Sequence, residues 1–446
     1  MRAWISILRR HRVVRASAAA IFLYGFSGAA TSPYQSVIGI RELGLSDQAY
    51  AMIALAASVA NVVLAIGIGL MSDRFHSYRR PLAFVAAFGV IGYGLVWAFP
   101  SAWMFAFATV GPLALYHATN SMLFGNVRAH TDRFDPEEAR IANALMRMMI
   151  SLSWVLVPGA VGIALAGRTS MIGSYLIAAL VAGGCLATVL FWLEPDRPPA
   201  PGPNPAAAPD PEAPPEGGTG TARVAPTTGR PDRPAQVRLP GPPALSDLRL
   251  ILAPATLLRI LGVALISQVL HVNAAVLPLI LTGQAMGRAE DIGYVIGMVA
   301  ALEVVFMFFW TGVLRRVRLT SALLTTAALY LVYLGILALS DAAWQVYAAS
   351  LIGGFAAAGI ISLPISYLLD MIRDRPGLSA SLIAVNMFAG GALGAGVFAL
   401  GSLAAHGAGG GLLASLGGYP LAALISGVLG VLGGALLVAM ERRRPG

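Results

Sequence analysis

Twelve apolar stretches divide the chain, six on each side of a polar, proline-rich segment. Each is about 20 residues or longer, the length a helix needs to cross about 30 Å of hydrocarbon. They are spans 1–6 at 14–38, 49–71, 81–99, 102–125, 140–166 and 171–193, and spans 7–12 at 251–281, 291–313, 319–339, 342–369, 378–404 and 414–440. The pattern predicts an all-α membrane protein of twelve transmembrane helices in two six-helix bundles, 1–194 and 247–446. The segment between them, 195–246, is read as a disordered linker. Sixteen prolines fall between Pro195 and Pro243, a composition that forms no packed core and suits a partly extended tether. A proline-rich ligand for a partner domain is the alternative.

Composition supports the membrane reading. Mean hydropathy is +0.74 and only 11% of residues are charged, against about 25% in soluble domains. All thirty basic residues are Arg, giving a net charge of +9. They gather in loops between spans, so the charge does not indicate a nucleic-acid partner. The N-terminal segment, the loops after spans 2, 4, 8 and 10, the linker and the C-terminus carry most of them. The opposite loops hold only Arg41, Arg168 and Arg288. Positive residues stay on the cytoplasmic side, so both termini and the linker are expected inside. An even number of spans fits. The basic N-terminus resembles a signal sequence, but its apolar run is long and lacks a clear cleavage site. It reads as a retained first helix, or equally as an uncleaved signal anchor. Cys185, the single cysteine, lies in span 6 and excludes a disulfide within the chain.

The halves echo each other at an offset of about 244 residues. Pro33 late in span 1 matches Pro278 late in span 7. Asp47 and Tyr50 at the start of span 2 match Asp291 and Tyr294 at the start of span 8. Asp135-Pro136 before span 5 matches Arg375-Pro376 before span 11. Anchors in the same order favour two parallel six-helix repeats about an axis along the membrane normal.

Six plus six spans with a central loop resemble the major facilitator superfamily. The stretch after span 2, Gly69-Leu70-Met71-Ser72-Asp73-Arg74 followed by Arg79-Arg80, is similar to that superfamily's loop signature. Phe75-His76-Ser77-Tyr78 stands where a mid-loop glycine is usual. Other stretches are similar to the bacterial sugar efflux transporters: Gly25 to Pro33 in span 1, Arg147 to Pro158 in span 5, Gly297 to Glu303 in span 8, and Leu368-Leu369-Asp370 at the end of span 10. The long linker departs from that family's compact pattern. The resemblance implies a bacterial inner-membrane transporter that works by alternating access, as a monomer and without a cofactor. It further implies proton-coupled efflux of a sugar or sugar-like molecule. An exporter of drugs or natural products is the alternative, as is a non-transporting receptor or assembly subunit with this fold. No Walker-type phosphate loop, no catalytic pair and no His/Cys cluster with metal spacing is present, so neither an enzyme nor a metal site is expected.

Two ionisable residues lie deep in spans, Arg147 in span 5 and Glu303 in span 8. A lone charge there costs about 2.5–3.5 kcal/mol or more, so each should face the interior and find a partner. At 1.5 Å per residue both lie about 10–12 Å from the cytoplasmic surface. In the superfamily spans 5 and 8 pack together, so the two are expected to meet in at least one state. Glu303 would take and release a proton under the control of Arg147; a static ion pair is the alternative.

Span 5 places Arg147, Ser151, Trp154 and Pro158 on one face. Trp suits a sugar face through its ring and N–H, or else packs on a neighbouring helix. Span 4 places His117, Asn120, Ser121 and Arg128 on one face. Span 7 places Gln268 and His271 together, with Asn273 turned away. The resemblance puts spans 1, 4, 7 and 10 around the cavity and so adds Tyr24, Gln35 and Tyr367. Asn61 and Asn386 could instead join helices. The resemblance also implies an inner gate, with Asp73 against the start of span 11 and against Arg80 or Arg128, and with Asp370 and Arg373 doing similar work after span 10.

Overall fold

A computed structural model of the chain describes residues 2–75, 79–131, 134–193, 253–371, 376–407 and 417–442. The linker at 195–246 lies outside these residues. Among the described residues every regular element is helical.

Eleven helices among the described residues are long and apolar enough to cross a membrane, and they coincide with eleven of the twelve expected spans. The other, span 4, is present as a broken run. It comprises Ala102–Ala108, a π segment Thr109–Leu113, one turn Ala114–Tyr116 and Ala118–Thr131. Pro112 lies inside the π segment. Proline has no N–H to donate and crowds the preceding turn, which interrupts the α ladder. Span 1 is interrupted likewise. Arg12–Thr31 gives way to a 3-10 turn, Ser32–Tyr34, containing Pro33, and then to a π segment, Val37–Glu42. Irregular backbone at membrane depth is tolerated where it is buried in protein or lines a cavity.

A short N-terminal helix, Arg2–Arg10, was not expected. Ile7 is buried in the protein while Arg9 and Arg10 are exposed. Arg10 and His11 pair with Glu138 at the start of span 5, at 2.8 and 3.2 Å. That is the behaviour of an interfacial helix with one apolar side.

The packing repeats with the sequence. In the first half spans 1 and 6, 1 and 5, and 3 and 6 pack together. In the second half the equivalent pairs are 7 and 12, 7 and 11, and 9 and 12. The halves join through two symmetry-related pairings, span 5 with span 8 and span 2 with span 11. Small residues set the closest approach. A Cβ on Gly297 would stand 3.2 Å from the Val155 carbonyl, and one on Gly162 would stand 2.9 Å from the Glu290 carbonyl. Such a small-residue seam lets two backbones touch where lipid offers no hydrophobic drive. Buried tyrosines fill each lobe. Tyr93, Tyr116 and Tyr175 lie in the first and Tyr330 and Tyr333 in the second. Two of these hydroxyls are hydrogen-bonded, Tyr116 with Ser27 at 2.9 Å and Tyr333 donating to Asn273 at 2.9 Å.

Candidate functional site

A cavity of about 360 Å³ opens between the lobes. Spans 1 to 4 form most of its wall, with Trp154 from span 5, Tyr175 from span 6, and spans 7 and 11 from the other lobe. Its volume falls within the ~300–1,000 Å³ of small-molecule sites. The lining has two textures. Tyr50, Tyr93, Phe105, Trp154, Tyr175 and Phe398 give it aromatic surface. Thr31, Ser32, Gln35, Ser58, Asn61, Thr109, His117 and His271 give it hydrogen-bonding groups. Among the described lining residues there is no Asp, Glu or Arg.

Of the residues expected to face the cavity, Gln35, His117, Trp154 and His271 do so. Tyr24 stands behind His117, its hydroxyl 3.1 Å from the ring Nδ1. That contact orients the imidazole and leaves Nε2 as the other polar edge. His271 is oriented by the Ser267 carbonyl at 3.3 Å. Others serve structure. Gln268 is fully buried, donates to the Ser426 carbonyl at 2.8 Å and accepts from the Ser426 hydroxyl at 3.0 Å, so it joins span 7 to span 12 and not to the cavity. Asn273 is held by Tyr333 of span 9. Asn120 is half-buried next to the break in span 4, and its Oδ1 has no partner. Ser121 is exposed and donates back to the Ala118 carbonyl. Ser151 is exposed and outside the lining. Tyr367 lines a separate recess of about 200 Å³ with Arg259, Thr320, Asp370 and Glu441. Of the expected inner gate, Arg80, Arg128 and Asp370 are exposed; Arg373 and the side chain of Asp73 lie outside the described residues. Asn386 donates to Ser267 at 3.0 Å, joining span 11 to span 7.

The wall contributed by spans 2 and 11 was not expected. Ser58 and Asn61, one turn apart in an otherwise apolar span, were its only sequence signal. Thr109 was not expected either. It begins the π segment of span 4, lines the cavity, and its buried hydroxyl has no partner among the described residues. A buried hydroxyl without a partner costs about 1–3 kcal/mol, so a ligand or water is its natural complement.

Hydrogen bonds between the lobes gather at the Arg-poor ends of the spans. Arg41 donates to the Leu279 carbonyl and the Thr282 hydroxyl, both at 2.6 Å. Asp47 accepts from Ser402 and Tyr419. Glu290 accepts from the Gly167 N–H at 3.3 Å. Arg147 and Glu303 lie toward the Arg-rich end. Arg147 is exposed and Glu303 half-buried, and no ion pair joins them in this state. The register of the seam nevertheless relates them. Spans 5 and 8 run antiparallel with Val155 against Gly297. Eight residues back from Val155 is Arg147; eight forward from Gly297 is residue 305. At 1.5 Å per residue, Glu303 is then about 3 Å from the level of Arg147.

The model of the Major Facilitator Superfamily matches residues 17–395, and the chain belongs to that family. It is accordingly a multi-pass membrane transporter, not an enzyme. Among curated proteins it is similar to a candidate sugar efflux transporter of Deinococcus radiodurans, with 24% identity over 292 residues. That alignment covers 65% of this chain and 66% of the relative, just under two thirds of its length. Among solved structures it is similar to the nucleoside transporter NupG, with a TM-score of 0.74 and 10% identity over 97% of this chain and 100% of that one. It is also similar to a bacterial homologue of the human lysosomal transporter Spinster, inward-facing and unoccupied, with a TM-score of 0.72 and 13% identity over 97% and 98% of the two chains. These structural likenesses establish the fold.

Proposed function

We propose that this transporter exports a neutral, hydroxyl-rich molecule of sugar size in exchange for protons. The observation that carries this reading is the cavity lining. It offers aromatic faces and uncharged donors and acceptors, and its described residues include no carboxylate or guanidinium. An ionic substrate buried there would lack a counter-charge, which is costly at low dielectric. A sugar presents apolar ring faces to Trp and Tyr and hydroxyls to Thr109, His117, Gln35 and Asn61. The export direction is supported by the D. radiodurans relative.

With the Arg-rich face in the cytoplasm, the state described is sealed toward the outside. Closing the inner half would bring Arg147 and Glu303, already near one level, toward each other. Glu303 would then be an ion-paired carboxylate in one state and a half-buried group without that partner in the other. Such a difference in environment is what drives proton uptake and release. The test is transport in inverted vesicles, with a panel of sugars and an imposed pH gradient. Movement of a neutral sugar that collapses with the gradient is expected. No sugar moving under any gradient overturns the substrate reading, and sugar movement indifferent to the gradient overturns the coupling.

A further inference from the structure

The repeated pair of Asp and, three residues later, Tyr opens both span 2 and span 8, but the two copies are used differently. In the second copy the carboxylate stays in its own lobe. Asp291 accepts from the Arg288 N–H at 2.7 Å, capping its helix, and from the Tyr347 hydroxyl of span 10 at 2.8 Å. In the first copy Ser46 takes over the capping, accepting from the Ala49 N–H at 3.2 Å. Asp47 is thereby free to reach across the seam. Its two oxygens accept from Ser402 of span 11 at 2.5 Å and from Tyr419 of span 12 at 2.9 Å. One turn on, Tyr50 meets Phe398 edge-on, with ring centroids 5.8 Å apart, and Phe398 stacks on Tyr419 at 6.0 Å. Tyr50 and Phe398 also line the cavity.

We propose that Asp47 is the latch of the Arg-poor gate. It holds the Tyr50–Phe398 pair over the cavity, and it must release Ser402 and Tyr419 before the cavity can open on that face. Bonds to an ionised carboxylate are stronger than those between neutral groups, so the contact is worth making. The carboxylate is only half-buried and lies at the end of the span. Water can therefore replace both hydroxyls when the lobes part, which keeps the latch reversible. Because the substrate sits against the rings the latch positions, occupancy and gate position are tied through Tyr50.

The inference concerns gating and stands whichever substrate is carried. The test uses the full-length protein in lipid nanodiscs, with the buried Cys185 replaced by Ser. Spin labels go on cysteines in place of Trp103 and Trp344, exposed at the Arg-poor ends of the two lobes. Pulsed electron resonance then reads the distance between them. Asp47→Asn and Tyr419→Phe should each enlarge the long-distance population, raising the open-to-closed ratio about tenfold, equivalent to about 1.4 kcal/mol. Asp291→Asn should leave it unchanged. If Asp47→Asn does not yield folded protein, Tyr419→Phe, which keeps the ring and removes one hydroxyl, decides. Distances unchanged in Tyr419→Phe, or moved as far by Asp291→Asn as by Asp47→Asn, would overturn the proposal.

Discussion

Glu303 and Gln268 show how differently two polar side chains at membrane depth can be used. Gln268 has its amide satisfied on both sides by Ser426. Gln268→Leu removes those bonds and strands the Ser426 hydroxyl, a loss of about 1–3 kcal/mol. A fall in Tm in detergent, with the KM of the remaining active protein unchanged, would mark it as structural. Among the described residues Glu303 has no hydrogen-bond or ion-pair partner in this state, so no such contact is lost when its charge is removed. Glu303→Gln is expected to leave Tm within error and to abolish transport driven by a pH gradient; full gradient-driven transport in that variant would exclude the coupling role. His117 is intermediate, oriented by Tyr24 and facing the cavity. His117→Phe keeps the ring and removes the polar edge. A cost of one hydrogen bond, about 0.5–1.5 kcal/mol, should raise KM roughly two- to tenfold with little change in kcat.

Among the elements, span 4 differs most from the apolar pattern that announced it. Its apolar residues predict a helix, and helical geometry is present, but Pro112 and the π segment break it where the cavity lies. The break turns Thr109 inward and leaves its hydroxyl without a partner. Pro112→Ala should restore an α ladder, since π segments persist mainly where function holds them. The expected result is a higher Tm together with weaker transport; gain or retention of both would mean the break has no role in binding. The polar positions of span 4 were legible in the sequence because charged or amide groups stand out in an apolar run. Which of them reach the cavity was not, because a π segment shifts the helical phase and moves Asn120 and Ser121 off the face that a regular helix would give them. Asn61 of span 2 was read as an interhelical contact for a related reason. One amide in a long apolar helix fits interhelical bonding as well as a cavity, and only the position of span 11 decides.

At the scale of the whole molecule, small residues set the approach of the lobes along one of their two pairings, Gly162 on span 5 against span 8 and Gly297 on span 8 against span 5. Gly297→Leu would wedge a side chain against the Val155 carbonyl. The helix pairings within each lobe are untouched, so Tm should change little, while the Arg-poor face can no longer seal. Transport should fall by tenfold or more, about 1.4 kcal/mol per decade. A cysteine in place of Ser58, in the Cys185→Ser background, should become reactive to an impermeant thiol reagent added from that face. Unchanged reactivity together with normal transport would mean the seam is not what closes it.

The run of apolar residues settled the class, the number of spans and the two-lobed plan, because hydrocarbon tolerates only backbone that satisfies its own hydrogen bonds. The repeat anchors likewise favoured two parallel copies, and the equivalent pairings within the two halves agree with that. Only the tertiary structure decided which polar residues meet the cavity, since that depends on helix rotation and on breaks that periodicity cannot see. It also decided the different fates of Asp47 and Asp291. Those two carboxylates occupy equivalent places in the sequence, and what separates them is which lobe supplies the hydroxyls within reach.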